Sequence, residues 1–211
     1  MNASSFFAAV VECSRGIALQ LYHYNLRRRV DLQAMHPDPN RVQIRLAGPG
    51  DARLLAEIGR VSFEAAFGAD NTPENMASYL QSAFSEEIQA RELAQPGSTF
   101  LIAESEDGAA GYARLQAGPA PTCITGWRPV ELVRFYLMPE WIGSGLAGRL
   151  MQACLETAWG GGYDVVWLGV WQKKPRAIHF YQKWGFVIVG EHTFQLGDDH
   201  QTDWLMQCER R

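Results

Sequence analysis

Apolar positions along the chain recur with two periods, and together they predict an alternation of short strands and helices. Val42, Ile44 and Leu46 alternate with polar residues as in a strand, and Gly48-Pro49-Gly50-Asp51 breaks the run. Leu54, Leu55, Ile58 and Val61 then fall at helical spacing, as do Met76, Leu80 and Phe84. The second helix has a start signal in Thr72 as N-cap and Pro73 behind it, and Pro96-Gly97 ends the helical region. Residues 99–104 and 110–116 read as two strands joined by the hairpin-type turn Glu106-Asp107-Gly108. A loop rich in proline and glycine over 118–129 leads to a long strand at 130–138. Residues 143–158 read as a glycine-rich loop opening a helix, with Leu146, Leu150, Cys154 and Leu155 on one face. Gly160-Gly161-Gly162 stops it. A buried strand over 164–170, a short helix over 175–184 and a strand over 186–190 follow. Gly197-Asp198-Asp199 turns into a last strand around 204–207.

The resulting order, β-α-α-β-β-β-α-β-α-β-β, is an α/β (α+β) pattern with a mixed sheet. A strand-helix-strand unit in the middle requires one parallel pair, and the flanking hairpins supply antiparallel ones. Residues 1–40 stand apart. An apolar piece leads to Arg27-Arg28-Arg29 and then to the breaker-rich His36-Pro37-Asp38-Pro39-Asn40. Met35 lies just before that linker. These residues read as an appendage, either a loose or disordered segment or one that precedes the natural start, and 41–211 as the domain.

Composition narrows the function. With 211 residues, 47% of them hydrophobic, the chain can bury one sizeable core. Lys and Arg number 19 against 23 Asp and Glu, so the charge of −4 argues against a nucleic-acid binder and suits cationic ligands weakly. No run is apolar enough for a membrane span. Cys13, Cys123, Cys154 and Cys208 lack metal-ligand spacing and read as free thiols in a reducing, cytoplasmic setting. His192, Asp198, Asp199 and His200 also lack ligand spacing and read as a turn and solvated surface, so no metal is expected.

The sharpest local feature is Gly143-Ser144-Gly145-Leu146-Ala147-Gly148 between a strand and a helix. Small residues there let backbone amides approach an anion at a helix N-terminus. The glycines also match the dinucleotide fingerprint, but Pro139-Glu140-Trp141-Ile142 intervene after the strand, and no second nucleotide-binding half has room. A turn that merely connects two elements is the bland alternative.

Residues 137–150, Leu-Met-Pro-Glu-Trp-Ile-Gly-Ser-Gly-Leu-Ala-Gly-Arg-Leu, resemble the acetyl-CoA motif of the GNAT superfamily, [Q/R]-x-x-G-x-[G/A]. Gly145 and Ala147 take the two small positions, and Ile142 stands where glutamine or arginine is usual. Residues 168–186, which include Lys174-Pro175-Arg176-Ala177 and Tyr181, resemble the strand-loop-helix that closes over the cosubstrate. Lys174 replaces the usual asparagine there. The two motifs stand one helix and one strand apart. Residues 131–137 and 190–206 resemble the bacterial polyamine-type (PaiA-like) branch.

The resemblance implies a GNAT-type fold with splayed central parallel strands. It implies transfer of acetyl from acetyl-CoA to a primary amine, with a spermidine-like acceptor, and dimers are common among relatives. Phe135, Tyr136 and Leu137 would offer backbone hydrogen bonds to the pantetheine arm, and Ile142, Gly143, Ser144, Gly145, Leu146 and Ala147 would form the phosphate cradle. Lys174 and Tyr181 would complete the cosubstrate site, with Tyr181 as general acid for the departing thiolate or, blandly, a core aromatic beside Phe180 and Trp184. Glu131 is the candidate base, placed by simple alternation on one strand face with Val133 and Phe135; an ordinary charge at a strand start is the alternative. Glu64, Asp70 and Glu74 are candidates for attracting a second ammonium. A non-catalytic acyl-CoA-binding domain and acetylation of a protein amine are the competing readings.

Overall fold

The computed structural model describes residues 37–196 and 199–210. Cys13, the Arg27–Arg29 run, most of the expected appendage and the Gly197-Asp198 turn lie outside the described residues. Residues Asp38–Arg211 form one compact unit. It begins with a 3-10 turn, Pro39–Arg41, capped by the Asp38 carboxylate, which accepts the Asn40 amide at 2.9 Å.

The elements follow as β1 (Gln43–Leu46), α1 (Ala52–Phe67), α2 (Pro73–Ala83), α3 (Glu86–Ala94), β2 (Ser98–Ser105), β3 (Gly108–Ala117) and β4 (Pro129–Leu137). Then come α4 (Leu146–Gly160), β5 (Val165–Trp171), α5 (Pro175–Lys183), β6 (Val187–Leu196) and β7 (Asp199–Glu209). Three helices precede β2 where apolar spacing predicts two. Phe84 closes α2 and is fully buried, and the Ser85 hydroxyl accepts the Ile88 amide at 3.2 Å to start α3. That short helix buries a polar residue, Gln89, whose amide donates to the Ala83 carbonyl at 2.8 Å. Besides Leu93, which packs against the α1 cluster, its core contact is that hydrogen bond, so a hydrophobic period does not reveal it.

Seven strands form one sheet in the order β1-β2-β3-β4-β5-β7-β6. All neighbours are antiparallel except β4 and β5, which pair only at Pro129↔Val165, Val130↔Val166 and Glu131↔Trp167. Beyond Glu131 and Trp167 the two strands part. The expected splay between the central parallel strands is therefore present.

A bulge in β4 sets which side chains face which way. Arg114 pairs with Arg134 but Leu115 pairs with Leu132, so Val133 is an extra residue. Leu132 and Phe135 consequently face α4, where Leu115, Leu132, Leu150, Met151 and Cys154 share a buried cluster. Arg134 and Tyr136 face the other way, toward α1, where Leu55 and Ile58 pack on Phe100, Ile102 and Tyr112. Glu131, opposite Gln116, shares this second face with Arg134. The alternation expected for Glu131 and Phe135 is thus corrected: the bulge puts them on opposite faces.

Charge ties α3 to the sheet. The Glu92 carboxylate receives Arg114 at 2.6 Å and also Arg134, and both guanidiniums are buried. Gln95 and Ser98 take further Arg114 donors at 2.9 and 3.3 Å. Removing one partner of such a group strands the other charges in a dry site. Glu92→Ala is expected to lower the unfolding free energy by about 3–5 kcal/mol in urea denaturation, and Glu92→Gln by less. A loss under about 1 kcal/mol would contradict this role.

Candidate active site

The loop after β4 is built by its own backbone. Pro139–Trp141 makes a 3-10 turn, and the Ile142 amide donates back to the Pro139 carbonyl at 3.2 Å. The Ser144 amide and hydroxyl both donate to the Trp141 carbonyl, at 3.3 and 2.8 Å, while the hydroxyl accepts the Leu146 amide at 3.2 Å. Ile142, Ser144 and Leu146 therefore spend their amides inside the turn. The amides of Gly143, Gly145 and Ala147 have no acceptor among the described residues. Gly143 and Gly145 sit at φ 95° and 97°, a region open to glycine and costly for other residues. Gly145 caps α4, so three free amides and the positive end of a helix meet in an exposed loop. Arg176, at the start of α5, brings its guanidinium to 4.0 Å from where a Gly143 side chain would begin. Sequence reading passed over Arg176 although it stands inside the quoted motif.

Phe135, Phe180 and Tyr181 form an aromatic cluster where β4 leaves β5. The Phe135 ring stacks on Phe180 at 5.7 Å and meets Tyr181 edge-on at 6.3 Å. Tyr181 also meets Phe186 at 5.7 Å, and burial raises its phenol above the ordinary tyrosine range, so it holds its proton through neutral pH. Tyr136 points to the other face, between Tyr112 at 5.9 Å and Phe63 at 6.1 Å. Leu137 lies partly buried at the end of β4 opposite Gly111.

Glu131 occupies the apex of the splay, at the last β4–β5 pair. Burial raises its carboxyl above the usual value, opposed by the positive charge of Arg114. Tyr181 and Glu131 thus lie on opposite faces of the sheet at one break in it.

Lys174 stands elsewhere. Its ammonium donates to Asp70 at 2.6 Å and to the Ala66 carbonyl at 2.8 Å, and lies over Phe67 and Trp171 at 5.1 and 5.3 Å. It ties the end of β5 to the end of α1. Asp70 is thereby paired with a cation of the chain itself, while Glu64 and Glu74 are exposed. Cys123 and Cys154 are free thiols. Among the described residues no three His, Cys, Asp or Glu side chains gather as metal ligands, and no helix is long and apolar enough to cross a membrane.

The family model for the acetyltransferase (GNAT) family matches residues 65–186. An uncharacterized N-acetyltransferase of Mycobacterium tuberculosis is 38% identical over 159 residues, covering 75% of this chain and 97% of its own. Another, from Lactobacillus delbrueckii subsp. lactis, is 35% identical over 150 residues, 71% and 87% of the two chains. The PaiA N-acetyltransferase of Thermoplasma acidophilum, solved with coenzyme A, superposes with a TM-score of 0.62 at 20% identity, over 80% of this chain and 99% of that one. The spermidine/spermine N-acetyltransferase SpeG of Vibrio cholerae gives 0.57 at 20% identity, over 81% and 94%. At that identity the likeness to both structures is one of fold.

Proposed function

The chain belongs to the GNAT acetyltransferase family, with acetyl-CoA as cosubstrate, and we propose that it acetylates a primary amine of a small, polyamine-like acceptor. One observation carries this reading: the sheet breaks between β4 and β5 next to a loop that offers three uncommitted amides. The residues present fit acetyl-CoA. Gly143, Gly145 and Ala147 would hold its pyrophosphate through their amides, with Arg176 beside them. The open inner edge of β4, residues 135–137, would pair with the amide-bearing pantetheine arm.

Acetyl-CoA supplies an acetyl group activated as a thioester. An amide of β4 facing the gap would stabilise the oxygen that gains charge, an effect worth about 10²–10³-fold per donor. The acceptor must lose a proton before its nitrogen can attack, because an alkyl ammonium has a pKa near ~10.4. Glu131, on the face covered by α1–α3, is the proposed acceptor of that proton, and its raised carboxyl is the better base for it. Tyr181, on the face covered by α4 and α5, gives its proton to the departing thiolate. Amine and thiol are then served from opposite sides of the sheet.

The polyamine-like acceptor is supported by the PaiA and SpeG structures being acetyltransferases of that fold, and by an acceptor face that carries Glu131 and a further carboxylate, Asp203. Lys174, which the sequence puts in the cosubstrate site, serves in this reading as a tether that fixes α1 over β5.

Tyr181→Phe is expected to lower kcat by about 10²-fold or more while the acetyl-CoA dissociation constant stays within twofold. Because burial raises the Tyr181 phenol, wild-type kcat should show no alkaline fall below about pH 10. A full rate in Tyr181→Phe would remove the acid from the scheme. Gly145→Ala forces a side chain into the left-handed region, at about 1–2 kcal/mol. Coenzyme A affinity, measured by calorimetry, should fall about tenfold. An unchanged affinity would mean that the loop does not hold the phosphates.

A further inference from the structure

Asp203 on β7 is a carboxylate with work left to do. Its side chain is 13% exposed, and its Oδ1 is buried without a hydrogen-bond partner. On the other side, Oδ2 lies 3.7 Å from Nε2 of His192, the residue directly across the β6–β7 pair. Both side chains lean over Gly169: a β-carbon there would come within 3.1 Å of His192 Nε2 and 3.4 Å of Asp203 Oδ2. A buried carboxylate oxygen with no donor is costly, and such groups persist where a ligand supplies the donor.

Its position suggests which ligand. Gly169 lies two residues beyond Trp167, the last residue of β5 to pair with β4, so the pair stands at the splay. Strand register puts Asp203 opposite Trp171 and Glu131 opposite Trp167, residues that alternate onto one face of β5. That face is covered at both ends of this stretch. Gln201 donates to Asn71, in the link between α1 and α2, at 2.8 Å. Gln207 donates to Thr125, in the loop before β4, at 2.6 Å. Asp203 falls between the two covers, with His192 across from it and Trp171 alongside. The ring of Phe194, two residues along β6 from His192, meets Tyr79 of α2 edge-on at 5.8 Å. A buried carboxylate oxygen that lacks a donor suits a cation that can donate to it.

The strand order also separates Asp203 from the reacting atoms. The thioester would lie between β4 and β5, whereas β7 is beyond β5. Glu131, on β4, is next to that gap, and Asp203 is not. We propose that Asp203, flanked by His192, binds the second ammonium of a diamine-type acceptor whose other nitrogen reacts near Glu131. This deepens the acetyltransferase reading and rests on it. Asp203, rather than Glu64, Asp70 or Glu74, is then the carboxylate that selects the acceptor. Burial raises the Asp203 carboxyl and His192 opposes that rise, so an incoming ammonium would favour the charged form in the same way.

The test compares 1,4-diaminobutane with butylamine, which differ only in the second nitrogen. Rates of coenzyme A release and calorimetric binding to the coenzyme A-loaded protein are measured for wild type and Asp203→Asn. Asp203→Ser replaces Asp203→Asn if the latter fails to fold. The wild type should prefer the diamine in kcat/KM, and Asp203→Asn should cut the diamine-to-monoamine ratio at least tenfold. Turnover with an unchanged ratio would overturn the proposal and leave the acetyltransferase reading standing. Diamine binding that Asp203→Asn abolishes, without turnover of either amine, would keep the subsite and overturn the amine-acetylating reading. No binding of the diamine and no turnover of either amine in the wild type would overturn both.

Discussion

Every backbone amide and carbonyl taken out of water needs a partner, and this sheet leaves a row of them open at its centre. The β4–β5 ladder stops after Glu131↔Trp167 although β4 runs on to Leu137 and β5 to Trp171. Each strand keeps its outer neighbour, β3 or β7, so neither can close the gap without breaking an existing ladder. The gap persists because each half of the sheet is held by the helices and its outer strands rather than by the other half. Leu150, Met151 and Cys154 of α4 pack on both halves below the split, and the Lys174 ammonium holds β5 to α1 above it. A molecule with amides of its own, laid between the strands, is what such an edge is built to accept.

The bulge at Val133 turns this opening into a site with two different sides. Without it, Phe135 would share a face with Glu131. With it, Phe135 joins Phe180 and Tyr181 beneath α4 and α5, while Tyr136 turns toward Phe63 and α1. Proton removal from an amine and proton delivery to a thiol then need not compete for one space. The charge on the acceptor side is balanced locally. Glu92 bridges Arg114 and Arg134 behind the strands and Glu131 adds a second negative charge near Arg114, while Glu131 and Asp203 both keep carboxyls raised by desolvation.

Much of this was legible in the sequence because it is local. Gly143 and Gly145 announce a loop whose amides can approach an anion, Thr72-Pro73 announces a helix start, and the two motifs one helix and one strand apart give the order of the core. What was not legible is decided across distance. The third helix rests on hydrogen bonds of Ser85 and Gln89 rather than on an apolar stripe. The face of Glu131 depends on a bulge that no single strand displays. Lys174 meets Asp70, 104 residues earlier. His192, read as surface, gains a partner only through hairpin register, which carries Leu196↔Asp199 back to His192↔Asp203. Counting outward from that turn was the one signal that would have found the pair.

The claim beneath all of this is that acetyl-CoA occupies the break in the sheet. Amide hydrogen exchange, followed by mass spectrometry with and without acetyl-CoA, tests it directly. The account predicts slower exchange in residues 132–137 of β4 and at the amides of Gly143, Gly145 and Ala147, with β2 and β6 unchanged. Binding that leaves both the β4 edge and the loop unprotected would place the ligand elsewhere and contradict the account.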